Sequence, residues 1–119
     1  MIHYKIFQFQ NNPLFVFINI GETHVPYYYD GASWNRNDNP CIPFSENNNA
    51  EECRYRQTKC LEFIDKKLGT ILDEFKESSI LICSDHGDCW GEDGLWEHGI
   101  HHEKVLTVPL LIRLNSKAI

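Results

Sequence analysis

The segment at residues 84–102 has the densest group of side chains that could do chemistry. It reads SDHGDCWGEDGLWEHGIHH, with five acids, four histidines and two tryptophans in nineteen residues. Carboxylates and neutral imidazoles bind zinc or manganese, and both groups can also transfer protons. The apolar run ILIC, which resembles a buried strand, directly precedes the segment. The sequence therefore predicts a functional loop at the end of a strand.

Asp85 and His86 are the candidate metal ligands. They follow the predicted strand, and Gly87 allows the backbone to turn tightly behind them. A carboxylate beside an imidazole suits a divalent ion such as zinc or manganese. The alternative is a polar turn in which the carboxylate of Asp85 accepts hydrogen bonds from neighbouring backbone amides. The position after a strand favours the metal site.

His24 and His98 are the candidate catalytic residues. His24 lies in ETHVP, just after another apolar run, and His98 lies in LWEHG. Each could donate to an anionic oxygen or transfer a proton, but each could also be a histidine satisfied by a backbone carbonyl. His101 and His102 are adjacent, so at least one of them is expected to face solvent or to play a supporting part.

Other residues of the segment have structural interpretations. A structural zinc site has suitable ligand types, but its spacing differs from the short pairs of zinc fingers. Its ligands would be Cys83, Cys89, His98 and His101. The two tryptophans, Trp90 and Trp96, are expected to pack the loop. The remaining acids are expected to form a solvated rim: Asp88, Glu92, Asp93 and Glu97.

Three apolar runs predict the strands that position these loops. They are LFVFINI at 14–20, SILIC at 79–83 and VPLLIRL at 108–114. Their continuous apolarity suits a parallel sheet covered by helices, which places the chain in the α/β class. Between the first two runs, residues 50–77 have apolar side chains at steps of three and four, which predicts a helix with a bend at Gly69.

The order strand, helix, strand predicts a βαβ unit with parallel strands. Ligands of such sheets bind beyond the carboxyl ends of the strands, where the loops converge. His24, Asp85 and His86 are therefore expected to meet at one edge of the sheet. The long polar segment at 21–49 is expected to be a functional or disordered loop.

Composition excludes several classes of function. The 119 residues suit one globular unit, and a net charge of −6 supplies no basic surface for nucleic acid. No apolar run is long enough to span a bilayer, and MIHYKIFQFQ does not have the pattern of a secretory signal. The five cysteines favour a reduced, cytoplasmic protein, although Cys41 and Cys53 could close a loop in an oxidising compartment.

Several segments, in order, resemble the carboxyl-terminal part of the sulfatase-like branch of the alkaline phosphatase superfamily. This branch includes sulfatases, phosphonate monoester hydrolases and phosphoethanolamine transferases. FVFINIGETHVPY is similar to a strand followed by an H-x-P loop, and FIDKKLGTIL to the helix before the metal strand. SDHGDCWGEDGLWEHG followed by EKVLTVPLLIRL is similar to the metal loop and the strand after it.

The resemblance implies an enzyme that hydrolyses or transfers sulfate or phosphate esters with a divalent ion, namely zinc, manganese or calcium. Asp85 and His86 match the metal pair, whereas His24 and His98 match contacts to the transferring group or the leaving group. The implied fold is a partial alkaline-phosphatase-like sandwich with a mainly parallel sheet. The implied substrate is a small anionic ester, and the His-containing pattern favours a transition metal and phosphate-type esters.

The chain also departs from the family pattern. It has no C/S-x-P-S-R nucleophile motif upstream of His24, and Cys41-Ile42-Pro43 lies on the wrong side of that histidine. Residues 1–119 are therefore expected to be a single fragment of a catalytic domain whose amino-terminal half, with the nucleophile, is absent. A missing half or partner chain would then complete the site. The alternative is a non-catalytic remnant or a partner-dependent subunit of the same fold.

Overall fold

The computed structural model describes residues 14–115. MIHYKIFQFQ, which does not have the pattern of a secretory signal, lies outside the described residues. The described elements are two helices, α1 and α2, and four strands, β1 to β4. In chain order they are α1 (Ala50–Glu74), β1 (Ile80–Cys83), β2 (Cys89–Trp90), β3 (Trp96–Glu97), α2 (Glu103–Leu106) and β4 (Leu110–Arg113), with a short 3₁₀ turn at Glu92–Gly94.

Helix α1 confirms the helix predicted for residues 50–77. The side chain of Asn49 accepts a hydrogen bond from the Glu52 amide at 3.0 Å, which caps the helix where its backbone N–H groups are unpaired. Glu51 and Glu52 place negative charge in the first turn, where the helix dipole favours it. The helix continues through Gly69 without interruption. Its 25 residues connect the loop of His24 to the strand before Asp85.

Strands β1 and β4 confirm the strands predicted at 79–83 and 108–114. They pair in antiparallel fashion, with Ile80 opposite Arg113 and Cys83 opposite Leu110. Residues 14–20 form no strand, and most of their side chains are exposed. Residues 14–115 contain no parallel pair of strands. The parallel sandwich implied by the resemblance stays a prediction.

A tight hairpin carries the chemistry-rich segment. Strands β2 and β3 pair in antiparallel fashion, with Cys89 opposite Glu97 and Trp90 opposite Trp96. The turn between them is possible because Gly91 and Gly94 have backbone φ angles of 100° and 75°. In addition, the Glu92 carboxylate accepts a hydrogen bond from the Trp90 amide at 2.5 Å. The hairpin folds the end of the segment back onto its beginning.

The core lies between the first half of α1, the 27–41 loop and the hairpin. Tyr27, Cys41, Cys53 and Cys60 are fully buried there, and Trp90 and Trp96 pack against them. This agrees with the packing role expected for the tryptophans. The Cys53 thiol donates to the Pro40 carbonyl at 3.3 Å, and its interaction with the neighbouring Cys41 lowers the pKa of the Cys41 thiol. All five cysteines are free thiols.

The opposite end of the molecule has an uncovered apolar surface. On the sheet, Leu81, Leu111 and Ile112 are 63%, 61% and 57% exposed. Phe15, which lies outside the strands, is 88% exposed. Exposed apolar surface of this kind is typical of a site that contacts another protein surface. Among residues 14–115, no helix is both long and apolar enough to cross a bilayer.

Candidate functional site

Three histidines from distant parts of the sequence converge at one place. One ring nitrogen from each of His24, His86 and His98 lies within 4.8 Å of the others. The ring centroids are 4.1 Å apart for His86 and His98, 4.9 Å for His24 and His98, and 5.9 Å for His24 and His86. The structure thus brings His24 to His86, as expected from the sequence, and adds His98 to the same group.

A tight turn holds His24 at the solvent-facing side of the cluster. The Tyr27 amide donates to the His24 carbonyl at 2.7 Å, and the His24 amide donates to the Gly21 carbonyl at 3.1 Å. The side chain of Gln57, on α1, donates to the Thr23 carbonyl at 3.3 Å. Through these bonds the helix positions the loop. The His24 ring places Nδ1 2.9 Å from the Val25 carbonyl oxygen.

His86 lies on a loop that is packed closely against α2. The amide of Gly87 donates to the Val105 carbonyl at 2.9 Å, and a β-carbon at Gly87 would overlap the carbonyl of Lys104. Only glycine fits this approach of two backbones. The ring of His86 places Nδ1 3.0 Å from the Gly87 carbonyl oxygen. The glycine therefore fixes the position of the histidine next to it.

Asp85 lies at the rim of the cluster. Its side chain is 88% exposed, and Oδ1 is 3.8 Å from Nε2 of His86. The same Oδ1 accepts a hydrogen bond from the His86 amide at 3.1 Å, which is the polar-turn interaction considered from the sequence. Because the carboxylate is at the surface, it can turn toward an ion beside His86. The arrangement is compatible with both interpretations of this residue.

A buried network supports His98 from behind. Nδ1 of His98 lies 2.7 Å from Oδ1 of Asp88, whose side chain is only 5% exposed. The Tyr27 hydroxyl donates to the other carboxylate oxygen of Asp88 at 2.8 Å and accepts from Nε1 of Trp90 at 2.9 Å. Both Asp88 oxygens are thus occupied, and the His98 ring is held in one orientation.

Electrostatics keeps the hydroxyl of Tyr27 in its protonated form. Burial, together with the charge of Asp88, raises the pKa of the Tyr27 hydroxyl far above its usual range, although the hydrogen bond from Trp90 acts in the opposite direction. Tyr27 therefore stays a hydrogen-bond donor to Asp88. The carboxylate keeps its remaining oxygen for His98.

The expectation that Asp88 belongs to a solvated acidic rim is wrong, because its side chain is buried and has two protein partners. Asp93 does match that expectation, since its side chain is 85% exposed. The hairpin register explains Asp88. The residue lies one step beyond the Cys89–Glu97 pair, and His98 lies one step beyond on the other strand. The glycines of GEDG could have predicted a hairpin turn. A hairpin with the observed register places Asp88 opposite His98.

The other histidines of the segment have different environments. His101 is exposed. His102 caps α2, because its Nδ1 accepts from the Lys104 amide at 3.1 Å while its Nε2 lies 3.4 Å from Asp93. This agrees with the expectation that at least one of the pair faces solvent or plays a supporting part. Within the described residues, Cys83 and Cys89 join no cluster of three or more metal-ligand side chains.

Cys41 is also placed away from any catalytic role. It is fully buried, and its thiol donates to the Cys89 carbonyl at 3.6 Å. An ester in solvent has no access to a sulfur atom in this position. The structure thus agrees with the sequence argument against Cys41 as a nucleophile.

Comparison with known proteins gives one partial likeness. Over 58 residues the chain is 38% identical to a choline-sulfatase of Rhizobium meliloti (strain 1021). The aligned part covers 44% of this chain but only 11% of the choline-sulfatase, so the chain corresponds to a small part of that protein. No family model and no solved structure matches the chain. The comparisons therefore support a sulfatase-like relationship, at the level of a hydrolase.

Proposed function

We propose that this chain supplies part of the active site of a sulfatase-like enzyme that hydrolyses or transfers sulfate or phosphate esters with the help of a divalent ion. The observation that carries the proposal is the convergence of His24, His86 and His98 within 4.8 Å. These residues belong to the two loops whose sequences resemble the H-x-P and D-H-G loops of that group of enzymes. The partial likeness to a choline-sulfatase gives independent support.

The donor set is compatible with a divalent ion. Oδ1 of Asp85 and Nε2 of His86 are 3.8 Å apart, close to the spacing of about 3 Å that two ligands of one zinc ion adopt. When bound, such an ion would stabilise negative charge on the ester oxygens. Imidazole nitrogen favours zinc over calcium, which prefers oxygen ligands.

His24 and His98 face the same space and are suited to act on an anionic ester. The resemblance assigns them contacts to the transferring group or proton transfer to the leaving group. Asp88 holds the His98 ring in one orientation, as a contact to an anionic oxygen requires. A second assignment, in which the same rings bind the ion, is also compatible with ester hydrolysis.

A non-catalytic subunit of the same fold is the second candidate. It is favoured by the exposed apolar sheet, where Leu81 and Leu111 are more than half exposed. A partner that covered this sheet would remove the apolar surface from water. In this case the chain would bind an ion without turnover of its own.

The test is hydrolysis of para-nitrophenyl sulfate and para-nitrophenyl phosphate by the chain produced together with the upstream sequence that supplies the nucleophile, with zinc, manganese or calcium added. We expect saturable, metal-dependent turnover that His24→Gln abolishes and that the matched variant His101→Gln leaves intact. An Asp85→Ala protein with native metal content and rate would contradict the assigned ligand. Metal binding without any turnover would reject the enzyme in favour of the subunit.

A further inference from the structure

We propose that His24, His86 and His98 are three ligands of one zinc-class ion, held through their Nε2 atoms, and that Asp88 is the residue that positions this tripod. The inference deepens the proposed function by assigning the ligands of the ion. It gives His24 and His98 a different role from the anion contacts that the resemblance implies. The hydrogen bonds of the three rings support this ligand set independently of ester hydrolysis.

The Nδ1 atom of every ring faces an oxygen that can only accept a hydrogen bond. The acceptors are the carbonyl of Val25 at 2.9 Å from His24, the carbonyl of Gly87 at 3.0 Å from His86, and the carboxylate of Asp88 at 2.7 Å from His98. A neutral imidazole that donates through Nδ1 has its lone pair on Nε2. All three rings are thus held in the tautomer that binds a metal through Nε2.

The three rings are also close enough to share one ion. One ring nitrogen from each of the three lies within 4.8 Å of the others. Nitrogens bound tetrahedrally to zinc at about 2.0–2.1 Å are about 3.3 Å apart, so movements of about 1 Å close the site. The ring planes of His86 and His98 are 32° apart, and the ring plane of His24 is 83° from that of His86 and 71° from that of His98. The three rings can therefore approach one ion from different directions.

The fold supports each ligand before any ion binds. Asp88 is itself fixed by the Tyr27 hydroxyl, and Tyr27 is fully buried in the core. Gly87 holds the loop of His86 against α2. A carboxylate behind a ligating histidine is a common supporting arrangement in zinc sites, because it orients the ring and increases its basicity. Here the Asp88 carboxylate lies behind the His98 ring, at Nδ1, and leaves Nε2 for the ion.

Three imidazoles select the class of metal and leave room for a further ligand. Nitrogen donors favour zinc, cobalt, nickel and copper over calcium and magnesium. His24 is exposed and the side chain of Asp85 is 88% exposed, so the fourth position faces solvent. A water molecule, an ester oxygen or the carboxylate of Asp85 can occupy it. Three protein ligands with an open position are typical of catalytic zinc sites.

The test is titration of the full 119-residue chain with cobalt(II), in which the visible absorption of bound cobalt measures binding and zinc is the competitor. We expect one ion for each chain and an intense four-coordinate spectrum that zinc abolishes. His24→Gln, His86→Gln and His98→Gln should each weaken binding by at least about 100-fold, and Asp88→Asn by about 10- to 100-fold with the same stoichiometry. His101→Gln is the matched control and should bind like the native chain.

His98→Lys separates a ligand from an anion contact. Lysine keeps a cation for an ester oxygen but is a poor replacement for an imidazole ligand, so cobalt binding should be lost. Native binding by His98→Lys or His24→Gln would overturn the tripod. For variants that fail to fold, ¹⁵N NMR of the native histidines is the second measurement. Zinc must shift the Nε2 resonances of three rings, and a shift of only one ring would overturn the proposal.

Failure of the tripod and failure of the proposed function are distinguishable. A cobalt site that depends on all three histidines, in a chain without esterase activity, retains the tripod and rejects catalysis. Metal-dependent turnover that survives in His98→Lys retains the hydrolase and rejects the tripod.

Discussion

The Asp88 carboxylate and the His98 ring lie 2.7 Å apart, although ten positions separate them in the chain. The Asp88 side chain is 5% exposed, whereas that of His98 is 25% exposed and reaches the histidine cluster. The pair therefore connects the buried core to the candidate site. A change at the buried end should affect both folding and metal binding.

Asp88→Asn tests this connection through stability. The substitution removes the charge that accepts hydrogen bonds from Tyr27 and His98, so we expect the free energy of unfolding to fall by about 1.5–3 kcal/mol. Urea denaturation followed by tryptophan fluorescence measures the loss. The control is Asp93→Asn, because Asp93 is 85% exposed and should change stability by less than about 0.5 kcal/mol. Equal effects of the two variants would show that the buried network contributes no stability.

Gly87→Ala tests the contact between the His86 loop and α2. The added β-carbon would overlap the Lys104 carbonyl, so the backbones must separate, at a cost of about 1–3 kcal/mol. The matched substitution is Gly69→Ala, whose β-carbon meets nothing within 4 Å and lies inside α1. There we expect a gain of up to about 1 kcal/mol, because alanine favours the helix. Thermal unfolding compares the two, and stabilisation by Gly87→Ala would contradict the close approach.

Glu92 predicts a loss of stability in acid. Burial raises the pKa of its carboxyl, but hydrogen bonds from the backbone amides of Trp90 and of Glu92 itself outweigh burial, so the pKa is lowered overall. A group with a lowered pKa stabilises the fold above the pKa of the unfolded chain, about 4.3, and this contribution is lost as the pH falls through the folded value.

The corresponding measurement is the urea midpoint as a function of pH. Glu92→Gln should be less stable than the native protein near neutral pH and should show a smaller decrease below about pH 4. Glu103→Gln is the control on an exposed carboxylate. If the native protein and Glu92→Gln had identical pH profiles, the turn would not depend on the ionised carboxylate.

The thiols should react in two classes. Cys83 is exposed, whereas the other four, Cys41, Cys53, Cys60 and Cys89, are fully buried. Burial also raises the pKa of Cys60 to about 11, so little thiolate is present there near neutral pH. A thiol reagent should therefore modify one site rapidly in the native protein and all five in denaturant. Cys83→Ser should abolish the rapid phase, and a second rapid thiol would contradict the packing of the core.

Local pattern was sufficient to predict α1 and the positions of β1 and β4. The apolar spacing of residues 50–77 and the cap at Asn49 act within a few residues, so the sequence contains the information directly. Strand direction depends on which segments pair across the chain. Here β1 pairs with β4 in antiparallel fashion, and residues 14–20 join neither strand.

The site shows the same distinction between local and distant contacts. His24, His86 and His98 were candidates because of their residue type and their position after apolar runs. Asp88 was missed, because its burial depends on the β2–β3 register and on Tyr27, 61 residues away. Neither contact leaves a periodic pattern near Asp88, so sequence alone gave it the interpretation usual for a surface acid.

Arg113 contributes to the alignment of β4 with β1. All four residues of β4 are exposed, so burial of an apolar face does not select one alignment of the strand. The guanidinium of Arg113 donates to the carbonyls of Phe75 at 2.6 Å and Leu72 at 3.4 Å, at the carboxyl end of α1. A shift of β4 by two residues would separate these groups by about 7 Å. The Arg113 guanidinium and the bonds from Asn115 to Ser79 and Glu77 therefore align β4 with β1 through polar contacts at one end of the sheet.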